Sequence, residues 1–301
     1  MHVLVHDPSA ESSQPCPVCE THLPPVKMMD KTWMMGFQKV NPLVGCPNCE
    51  CIYVQSSYCN KAESYDDAYF VSFDVFKQDS QQNHARKQEF SRRLQFLESK
   101  CRGREILDIG CGNGDFLAMA QDRGWHCFGA DISKYSQKRL LEKSIPLFVG
   151  DILLFLRDRH HLFDAIHLNH SLEHMANPLP VMRQAFLSLK AGGIIYVEVP
   201  NEFENLHYKI FEKIGRRREK GSIWGRSTRP YLHSPHLIYF NLKSLHHLAL
   251  GSGFQQISID ARAKSDLIVD SAVDLLYRIG MVLNRGPFIT LMARRINPDG
   301  K

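Results

Sequence analysis

The sequence predicts an α/β protein with a doubly wound, mostly parallel, seven-stranded sheet and a small zinc ribbon at the N-terminus. Three observations lead to this prediction. From residue 104 onward, short apolar strands alternate with helical stretches, which is typical of a parallel sheet with helices on both faces. The first of these strands ends in a glycine-rich loop that opens a helix. Six of the nine cysteines lie within the first 60 residues, which marks that segment as a separate chemical unit.

The bulk properties are those of an ordinary globular protein. The 301 residues are enough to bury a full core, and they contain no apolar run of about 18 residues that could span a bilayer. We therefore expect no membrane partner. The N-terminal stretch lacks the basic flank and long apolar segment of a secretory signal, so we expect a cytoplasmic protein. The net charge of +5 fits an anionic substrate or RNA, but it is also common in proteins that bind neither.

The patterns predict three regions along the chain. Residues 1–62 are expected to form the zinc-binding ribbon, and residues 63–103 an aromatic connection followed by a helix. Residues 104–301 are expected to form the ligand-binding α/β domain, with an insertion or lid at 203–235.

Two Cys-x-x-Cys knuckles predict the zinc site. "CPVC" supplies Cys16 and Cys19, and "CPNC" supplies Cys46 and Cys49, with 26 residues between the two knuckles. Each knuckle presents two thiolates, so the pair completes a closed tetrahedral zinc shell whose role would be structural. An iron–sulfur cluster or a redox dithiol is the alternative. Cys51 and Cys59 are expected not to be ligands, which leaves the four knuckle thiols as the predicted set.

The secondary structure elements follow in order. Phe90, Leu94 and Leu97 recur at helical spacing and predict an amphipathic helix. Strands are then predicted at "EILDIG", "HCFGAD", "PLFVGD", "FDAIHLNH" and "IIYVEVP", with helices at "GDFLAMAQDRG", "SKYSQKRLLEKS" and "PLPVMRQAFLSLKAGG" between them. After the insertion, "NLKSLHHLALGSG" predicts a helix, and "QQISIDA" and "ITLMARRI" predict two strands that flank the helix-like "DLIVDSAVDLLYRIGMVL". In such a sheet, ligands bind at the carboxyl ends of the strands.

The loop "ILDIGCGNG" carries Asp108 followed by Gly110, Gly112 and Gly114. Alternate glycines let the backbone approach a ligand closely, and the next helix begins with amide donors that have no helical partner. A dinucleotide site is the rival interpretation, but the spacing G-x-G-x-G departs from G-x-G-x-x-G. Asp108 would repel a pyrophosphate and would accept hydrogen bonds from an amine. The loop therefore favours a cationic ligand.

Acids at the next two strand ends extend this site. Asp131 is suitably placed to accept hydrogen bonds from ribose hydroxyls, and Asp151 from an adenine amino group. With the glycine loop and these acids in order, the chain resembles the class I S-adenosylmethionine-dependent methyltransferases, which have a Rossmann-like fold, over roughly residues 85–300. The resemblance implies S-adenosylmethionine as cofactor. The implied cofactor-binding residues are Asp108, Gly110, Gly112, Gly114, Asp131, Ile132, Asp151, Ile152 and Asn169.

The stretch "FDAIHLNHSLEHMANP" resembles the "LEH" segment of small-molecule methyltransferases, including ubiquinone-pathway O-methyltransferases. A histidine at a strand's carboxyl end can act as a general base, so His174 is the first catalytic candidate, with Glu173 beside it. Alternatively, both residues only cap the turn and hold the loop. The ubiquinone-pathway relatives carry a carboxylate three residues before this glutamate and can bind a divalent metal there. This chain has His170 instead, which is assigned to substrate binding, so no second metal is predicted.

Two further segments resemble acceptor-binding parts of related enzymes. "YLHSPHLIYF" resembles an "H-x-x-x-F" segment, which implies that His236, a second candidate base, and Tyr239 lie where the acceptor enters. Packing is the alternative role for both. The cysteine-rich head resembles that of sugar C-methyltransferases, which implies that Tyr65 and Tyr69 line the acceptor pocket. The basic stretch "GRRREKGSIWGR" could bind a phosphate or form a solvated lid.

Three hypotheses for function follow. The leading one is S-adenosylmethionine-dependent methyl transfer to an oxygen or carbon of a small molecule, a sugar or another biosynthetic intermediate, with histidine as general base. The second is an RNA methyltransferase, since ribosomal-RNA methyltransferases also join a zinc ribbon to this fold. The sequence disfavours a nucleic-acid partner because the basic residues are not concentrated in the head. The third is a non-catalytic scaffold that retains the cofactor. The oligomeric state is not predicted.

Overall fold

The structure, a computed structural model, describes residues 15–23, 26–34, 37–54, 81–135, 137–206, 208–210, 236–261 and 279–296. Several predictions fall outside these ranges, namely those on Cys59, Tyr65, Tyr69, the basic stretch of the insertion and most of the helix after "QQISIDA". Among the described residues, no helix has the length and apolar character needed to cross a membrane.

The described chain alternates strands and helices. The strands are β1 (Val26–Met34), β2 (Phe37–Gly45), β3 (Ile52–Val54), β4 (Glu105–Ile109), β5 (His126–Asp131), β6 (Leu147–Val149), β7 (Phe163–Asn169), β8 (Leu189–Pro200), β9 (Ile238–Tyr239), β10 (Gln256–Asp260) and β11 (Phe288–Arg294). The helices are α1 (Gln81–Lys100), α2 (Asp115–Asp122), α3 (Gln137–Glu142), α4 (Ile152–Leu156), α5 (Pro178–Ser188) and α6 (Leu242–Gly251).

Seven strands form the central sheet in the order β10-β11-β8-β7-β4-β5-β6. Strands β4 to β8 pair in parallel, whereas β11 runs antiparallel to both β8 and β10. The predicted mostly parallel, seven-stranded sheet is therefore confirmed. The strand order reverses next to β4, which places the carboxyl ends of β4, β5 and β7 around one ligand-binding edge.

Helices cover both faces of this sheet. On one face, α1 and α2 pack through residues such as Leu94 and Leu117 against the sheet. On the other face, α5 and α6 pack through residues such as Met182 and Leu248. Strand β7 is buried from Phe163 to Leu168, as expected for a parallel strand covered on both sides. The doubly wound arrangement is confirmed.

One helix boundary differs from the prediction. The helix read from "PLPVMRQAFLSLKAGG" ends at Ser188, and the residues from Leu189 onward belong to β8. Leu189 leaves the helical conformation with φ −69° and ψ 143°, and it pairs with Phe163 of β7. Gly192 then takes a φ of 78°, which a helix does not accommodate. Pairing with the neighbouring strand therefore overrides the local helical pattern.

The cysteine-rich head is attached to the α/β domain through a second sheet. This sheet has the order β1-β2-β3-β9, and β9 comes from the segment that follows the insertion. Ile52 pairs with Tyr239, and Tyr53 pairs with Ile238. Exposed salt bridges add to this contact, because both Arg183 guanidinium amino groups reach the Glu20 carboxylate and Lys243 reaches Glu50, but each such pair is worth less than about 1 kcal/mol. Strand pairing and burial hold the head in place.

Candidate active site

The glycine loop follows β4 and leads into α2. Gly110, Gly112 and Gly114 have φ values of 75°, 54° and 75°, a region that L-residues with side chains rarely adopt. A Cβ at Gly110 would lie 2.4 Å from the Ser171 Cβ, and one at Gly114 would lie 2.5 Å from the Leu140 Cδ2. A Cβ at Gly112 would meet no protein atom within 4 Å. Two of the glycines are thus required by the protein's own packing, and the third faces open space where a ligand could approach.

Asp131, at the end of β5, is held beside this loop. Its Oδ2 accepts a hydrogen bond from the Gly112 N–H at 2.9 Å, and its Oδ1 accepts one from the Ser133 N–H at 2.9 Å. Burial raises the pKa of Asp131. The next residue, Ile132, is 53% exposed, so an apolar side chain lies uncovered next to the buried acid. This arrangement suits the predicted ribose and adenine contacts, which stay predictions.

Asp151 and Ile152 lie at the end of the third strand, β6. Asp151 is exposed and caps α4, because its Oδ1 accepts a hydrogen bond from the Leu153 N–H at 2.9 Å. Ile152 is partly buried and packs against the hydrophobic core. The capping bond uses one oxygen of Asp151, so the second oxygen remains the candidate acceptor for an adenine amino group.

Asp108 belongs to a buried hydrogen-bonded network. Its side chain is buried, and its Oδ1 lies 2.8 Å from the Nδ1 of His167 on β7. The His167 ring stacks on Phe116 with 3.8 Å between the ring centroids. His167 was not predicted from the sequence. Any contact between Asp108 and the ligand would therefore be made by a carboxylate whose position the imidazole fixes.

Arg93 of α1 joins this network to the end of β7 and to β8. The guanidinium is 4% exposed, donates to the Asn169 Oδ1 at 2.5 Å and lies 2.7 Å from the Glu198 Oε1. Asn169, a predicted cofactor residue, is thus oriented by Arg93. Burial alone would raise the pKa of Glu198, but Arg93 and His170 lower it to about 2. The sequence contained a signal for this residue, since Arg93 falls on the apolar face of the helix between Phe90 and Leu94.

Glu173 lies at the centre of a histidine cluster. The carboxylate is 1% exposed, and neither oxygen accepts a well-aligned hydrogen bond from the described residues. Its Oε1 lies 3.4 Å from the Nδ1 of His170, 3.9 Å from the Nε2 of His174 and 3.9 Å from the Nε2 of His236. Burial raises the pKa of this carboxyl, but the surrounding imidazoles lower it overall. The structure thus brings together the predicted catalytic residues Glu173, His174 and His236.

Separate segments position the members of this cluster. Glu173 and His174 lie in a short 3-10 turn, Leu172–His174, directly after β7. His170 precedes it with a φ of 52°, an uncommon conformation for a residue other than glycine. His236 arrives from the far side of the insertion, and the next residue, Leu237, donates a backbone hydrogen bond to the Glu173 carbonyl at 2.8 Å. Two distant parts of the chain are therefore joined at this cluster.

Two further carboxylates orient the imidazoles. The His236 Nδ1 lies 2.9 Å from the Oε1 of Glu202, which is itself 3% exposed, so the Nε2 of the same ring faces Glu173. The His170 Nε2 lies 3.5 Å from the Glu198 Oε1. Burial would lower the pKa of His170, but Glu173 and Glu198 raise it to about 9, so His170 is protonated at neutral pH. Glu202 and Glu198 were not identified from the sequence.

The Tyr239 side chain is more deeply buried than we expect for a residue at the entrance of an acceptor pocket. The side chain is 4% exposed, and its ring packs 5.0 Å from the Phe203 ring and 6.1 Å from the His236 ring. Burial raises the pKa of its hydroxyl. This position agrees with the alternative packing role. The expected contacts of His170 and Tyr239 with the acceptor stay predictions.

The two cysteine knuckles have the same backbone geometry. The Cys16 N–H donates to the Thr21 carbonyl at 3.0 Å, and the Cys46 N–H donates to the Cys51 carbonyl at 2.9 Å. In each knuckle, the residue after the second cysteine has a positive φ, 56° at Glu20 and 63° at Glu50. The repeated turn aims both pairs of thiols at one point.

The four predicted ligand thiols meet there. The sulfur atoms of Cys16, Cys19, Cys46 and Cys49 lie within 4.8 Å of one another. The Cys16–Cys49 and Cys19–Cys46 sulfur distances are 3.7 and 3.6 Å, close to the roughly 3.8 Å edge of a tetrahedron with 2.3 Å Zn–S bonds. The Cys51 sulfur lies 3.5 Å from that of Cys16, so a fifth thiol is packed against the set.

Comparison with known proteins identifies the family. The model of a methyltransferase-domain family, Methyltransf_23, matches residues 82–259, more than half of the chain. A ubiquinone biosynthesis O-methyltransferase of Chromobacterium violaceum is 28% identical over 117 residues, 36% of this chain and 50% of the relative. One of Marinobacter nauticus is 28% identical over 167 residues, 50% of this chain and 69% of the relative. The chain therefore spans about half the length of the first of these curated relatives.

Solved structures agree on the fold. A SAM-dependent methyltransferase from Archaeoglobus fulgidus superposes with a TM-score of 0.50 at 20% identity, covering 75% of this chain and 99% of that one. A methyltransferase in complex with the Trm112 methyltransferase activator of Haloferax volcanii gives 0.53 at 17% identity, covering 77% and 97%. At these identities the likeness concerns the fold alone. Together with the family match, it shows that the chain belongs to the Methyltransf_23 family of methyltransferase domains and has the fold of the class I S-adenosylmethionine-dependent enzymes.

Proposed function

We propose that the protein transfers a methyl group from S-adenosylmethionine to an oxygen or carbon of a small molecule, a sugar or another biosynthetic intermediate. One observation carries this proposal. The glycine loop with Asp131 and the cluster around Glu173 lie at the same carboxyl edge of the sheet, because β4, β5 and β7 are neighbours there. Oxygen is the favoured acceptor atom, since the curated relatives are named as O-methyltransferases.

The reaction requires little covalent chemistry from the protein. The acceptor attacks the methyl carbon in line as the C–S bond breaks, which turns the sulfonium into a neutral thioether, and the acceptor loses one proton. The protein has to align the two reactants and provide a destination for that proton. In the metal-free cluster, His174 or His236 is the candidate general base, and Glu173 stabilises the imidazolium that forms. Tyr65 and Tyr69 remain proposed acceptor contacts.

The cysteine-rich head is proposed to bind a structural zinc ion. The support is the donor chemistry and the spacing of the four sulfur atoms of Cys16, Cys19, Cys46 and Cys49. Four thiolates close the coordination shell, so this metal would stabilise the head and take no part in the reaction. Metal analysis of the purified protein tests this, and iron or an absence of metal in a fully folded head would contradict it.

The experiment has two stages. Calorimetry first measures S-adenosylmethionine binding, and release of S-adenosylhomocysteine is then followed with a panel of hydroxylated sugars, phenols and other small acceptors. Turnover with a small acceptor supports the proposal. Binding without turnover on any of them, together with methylation of RNA whose affinity falls steeply with salt, would support the RNA alternative instead.

A further inference from the structure

We propose that Arg93 is a positioning residue that holds the cofactor side and the acceptor side of the active site in one fixed arrangement. The inference deepens the proposed function, and its consequence for turnover rests on that function. The relevant observation is that the contacts of one buried guanidinium lead in two directions along the edge of the sheet. Contacts to His167 and Asn169 on β7 lead to the glycine loop, and a contact to Glu198 on β8 leads to the Glu173 cluster.

The register of the sheet brings the partners of Arg93 together. On β7, His167 and Asn169 are two residues apart, so both lie on the same face of the strand. His167 pairs with Asp108 of β4. Asn169 pairs with Glu198 of β8. One side chain that approaches this face from α1 can therefore contact residues on two strands at once.

On the cofactor side, Arg93 fixes the hydrogen-bonding roles of its partners. Its Nη1 donates to the Asn169 Oδ1 at 2.5 Å, so the NH₂ group of this amide points away from the guanidinium. The same Nη1 lies 3.4 Å from the His167 Nε2. Because a guanidinium only donates and an ionised carboxylate only accepts, His167 accepts at Nε2 and donates from Nδ1 to Asp108. The second oxygen of Asp108 is then the candidate acceptor for the cofactor's amino group.

On the acceptor side, Arg93 fixes Glu198 and, through it, His170. The Arg93 Nη2 lies 2.7 Å from the Glu198 Oε1, and the His170 Nε2 lies 3.5 Å from the same oxygen. The His170 backbone N–H also donates to the Glu198 carbonyl at 3.0 Å. The other ring nitrogen of His170 lies 3.4 Å from the Glu173 Oε1. The position of Glu198 thus bears directly on the imidazole at the border of the Glu173 cluster.

The geometry of the guanidinium distinguishes this role from simple charge neutralisation. Any buried cation next to Glu198 could offset its charge, and a lysine would supply one as a compact ammonium. A planar guanidinium presents several N–H groups in a rigid fork, which contacts Asn169 and Glu198 with different nitrogens. The group also packs over the Tyr196 ring, 5.4 Å from its centroid. Charge alone would not require this fork, whereas positioning would.

The consequence for the reaction is the alignment of the two reactants. In-line transfer depends on the distance and angle between the acceptor atom and the methyl carbon, and a misplacement of about 1 Å can cost about 100-fold in rate. Arg93 touches neither reactant in this proposal. It acts through Asn169 and Asp108 on one side and through Glu198 and His170 on the other.

The test compares Arg93→Lys with the wild type. Urea unfolding measures stability, calorimetry measures S-adenosylmethionine affinity, and kcat and KM are determined with an acceptor from the small-molecule panel. Because lysine keeps the charge beside Glu198, we expect a urea midpoint near that of the wild type. Because the fork is lost, we expect about fivefold or more weaker cofactor binding and a kcat about tenfold or more lower. Arg92→Lys, on the exposed side of α1, is the matched control and should keep all three values.

Two further variants separate the two sides of the network. His167→Phe keeps a ring that can stack on Phe116 but removes the donor to Asp108, so it should weaken cofactor binding and leave the acceptor KM within about twofold. Glu198→Gln keeps the side-chain shape but removes the charge beside His170, so it should raise the acceptor KM and leave cofactor affinity within about twofold.

Several outcomes would overturn the inference. Wild-type cofactor affinity or wild-type turnover in Arg93→Lys would each do so. Leu97→Ala, which removes only apolar packing under α1, controls for lost stability, and an equal loss of turnover per folded molecule would show a merely structural effect.

If Arg93→Lys does not fold, the two single-side variants decide, and equal effects of both on cofactor and acceptor would contradict the inference. A wild-type protein that binds cofactor but methylates no acceptor would defeat the proposed function alone. The cofactor affinities of Arg93→Lys and His167→Phe would then still decide this inference.

Discussion

The backbone N–H of Val54 in the cysteine-rich head donates a 2.9 Å hydrogen bond to the carbonyl of Leu237 in the methyltransferase domain. The Leu237 N–H in turn donates to the Glu173 carbonyl at 2.8 Å. The cysteine-rich head and the Glu173 cluster are thus two backbone hydrogen bonds apart. We therefore expect the head to help position His236, the residue next to Leu237.

If the head binds the proposed zinc ion, removing that metal should therefore impair acceptor turnover without weakening cofactor binding. In Cys46→Ser, loss of a thiolate should release zinc and loosen β3, which carries the pairing to Ile238. Turnover should fall at least tenfold, hydrogen exchange at β9 should speed up, and the dissociation constant for S-adenosylmethionine should change less than twofold. Calorimetry and exchange mass spectrometry measure these effects.

Cys51→Ser is the matched control for that experiment. The Cys51 thiol lies next to the Cys16 sulfur but is not one of the four proposed ligands, so this variant should keep its zinc and its turnover. Zinc loss from Cys51→Ser equal to that from Cys46→Ser would mean that the ligand set is wrong.

Gly112→Ala should weaken S-adenosylmethionine binding by at least tenfold. The new Cβ would meet no protein atom within 4 Å. A loss of cofactor affinity larger than backbone strain alone causes would therefore indicate that the ligand occupies that space. Gly124→Ala controls for the strain, because Gly124 also has a positive φ, 82°, with open space around it, but lies at the end of α2 away from the loop. Both variants should lose about 1 kcal/mol of stability. Equal cofactor affinities in Gly112→Ala and Gly124→Ala would mean that the cofactor does not bind next to Gly112.

Arg93→Met should destabilise the fold by about 3–5 kcal/mol, because it leaves the buried Glu198 carboxylate without its main partner. The double variant with Glu198→Gln should recover much of this loss. Arg92→Met, on the exposed side of the same helix, should cost less than about 1 kcal/mol. Urea unfolding curves measure all three, and similar losses in the Arg92 and Arg93 variants would contradict the buried network.

The pH dependence of stability provides an independent check on Glu198. Arg93 and His170 lower its pKa from the ordinary 4.5 to about 2 in the folded protein, so ionised Glu198 stabilises the fold above about pH 4.5 and this contribution is lost as the pH falls toward 2. The difference in unfolding free energy between wild type and Glu198→Gln should therefore be largest near neutral pH and shrink in acid. A difference that stays constant from pH 7 to pH 3 would rule out the depressed pKa.

What the sequence predicted well depends on residues close together in the chain. The glycine loop, the strand-end acids and the Cys knuckles are each set by a few neighbouring residues, so spacing and residue type were sufficient to place them in the fold, while the ligands that they bind stay predictions. The alternation of strands and helices likewise follows from local hydrophobic pattern. The end of α5 was placed too late because pairing of Leu189 with Phe163 is a tertiary effect.

The missed features depend on contacts between distant residues. Arg93 contacts Glu198, and Glu202 contacts His236. The two residues of each pair lie too far apart in the sequence for a local pattern to indicate the contact. Arg93 on an apolar helix face was a readable signal of a buried ion pair. The approach of the His236 Nε2 to within 3.9 Å of the Glu173 Oε1 likewise depends on a segment that comes from beyond the insertion.

The double variant His174→Gln/His236→Gln tests whether these two histidines are needed for methyl transfer. Methyl transfer is measured with radiolabelled S-adenosylmethionine and an acceptor found in the small-molecule panel, beside the His246→Gln/His247→Gln control on α6. We expect the double variant to bind the cofactor with unchanged affinity, its turnover to fall at least a hundredfold, and the control to keep wild-type turnover. Undiminished turnover in the double variant would mean that neither histidine acts in the reaction.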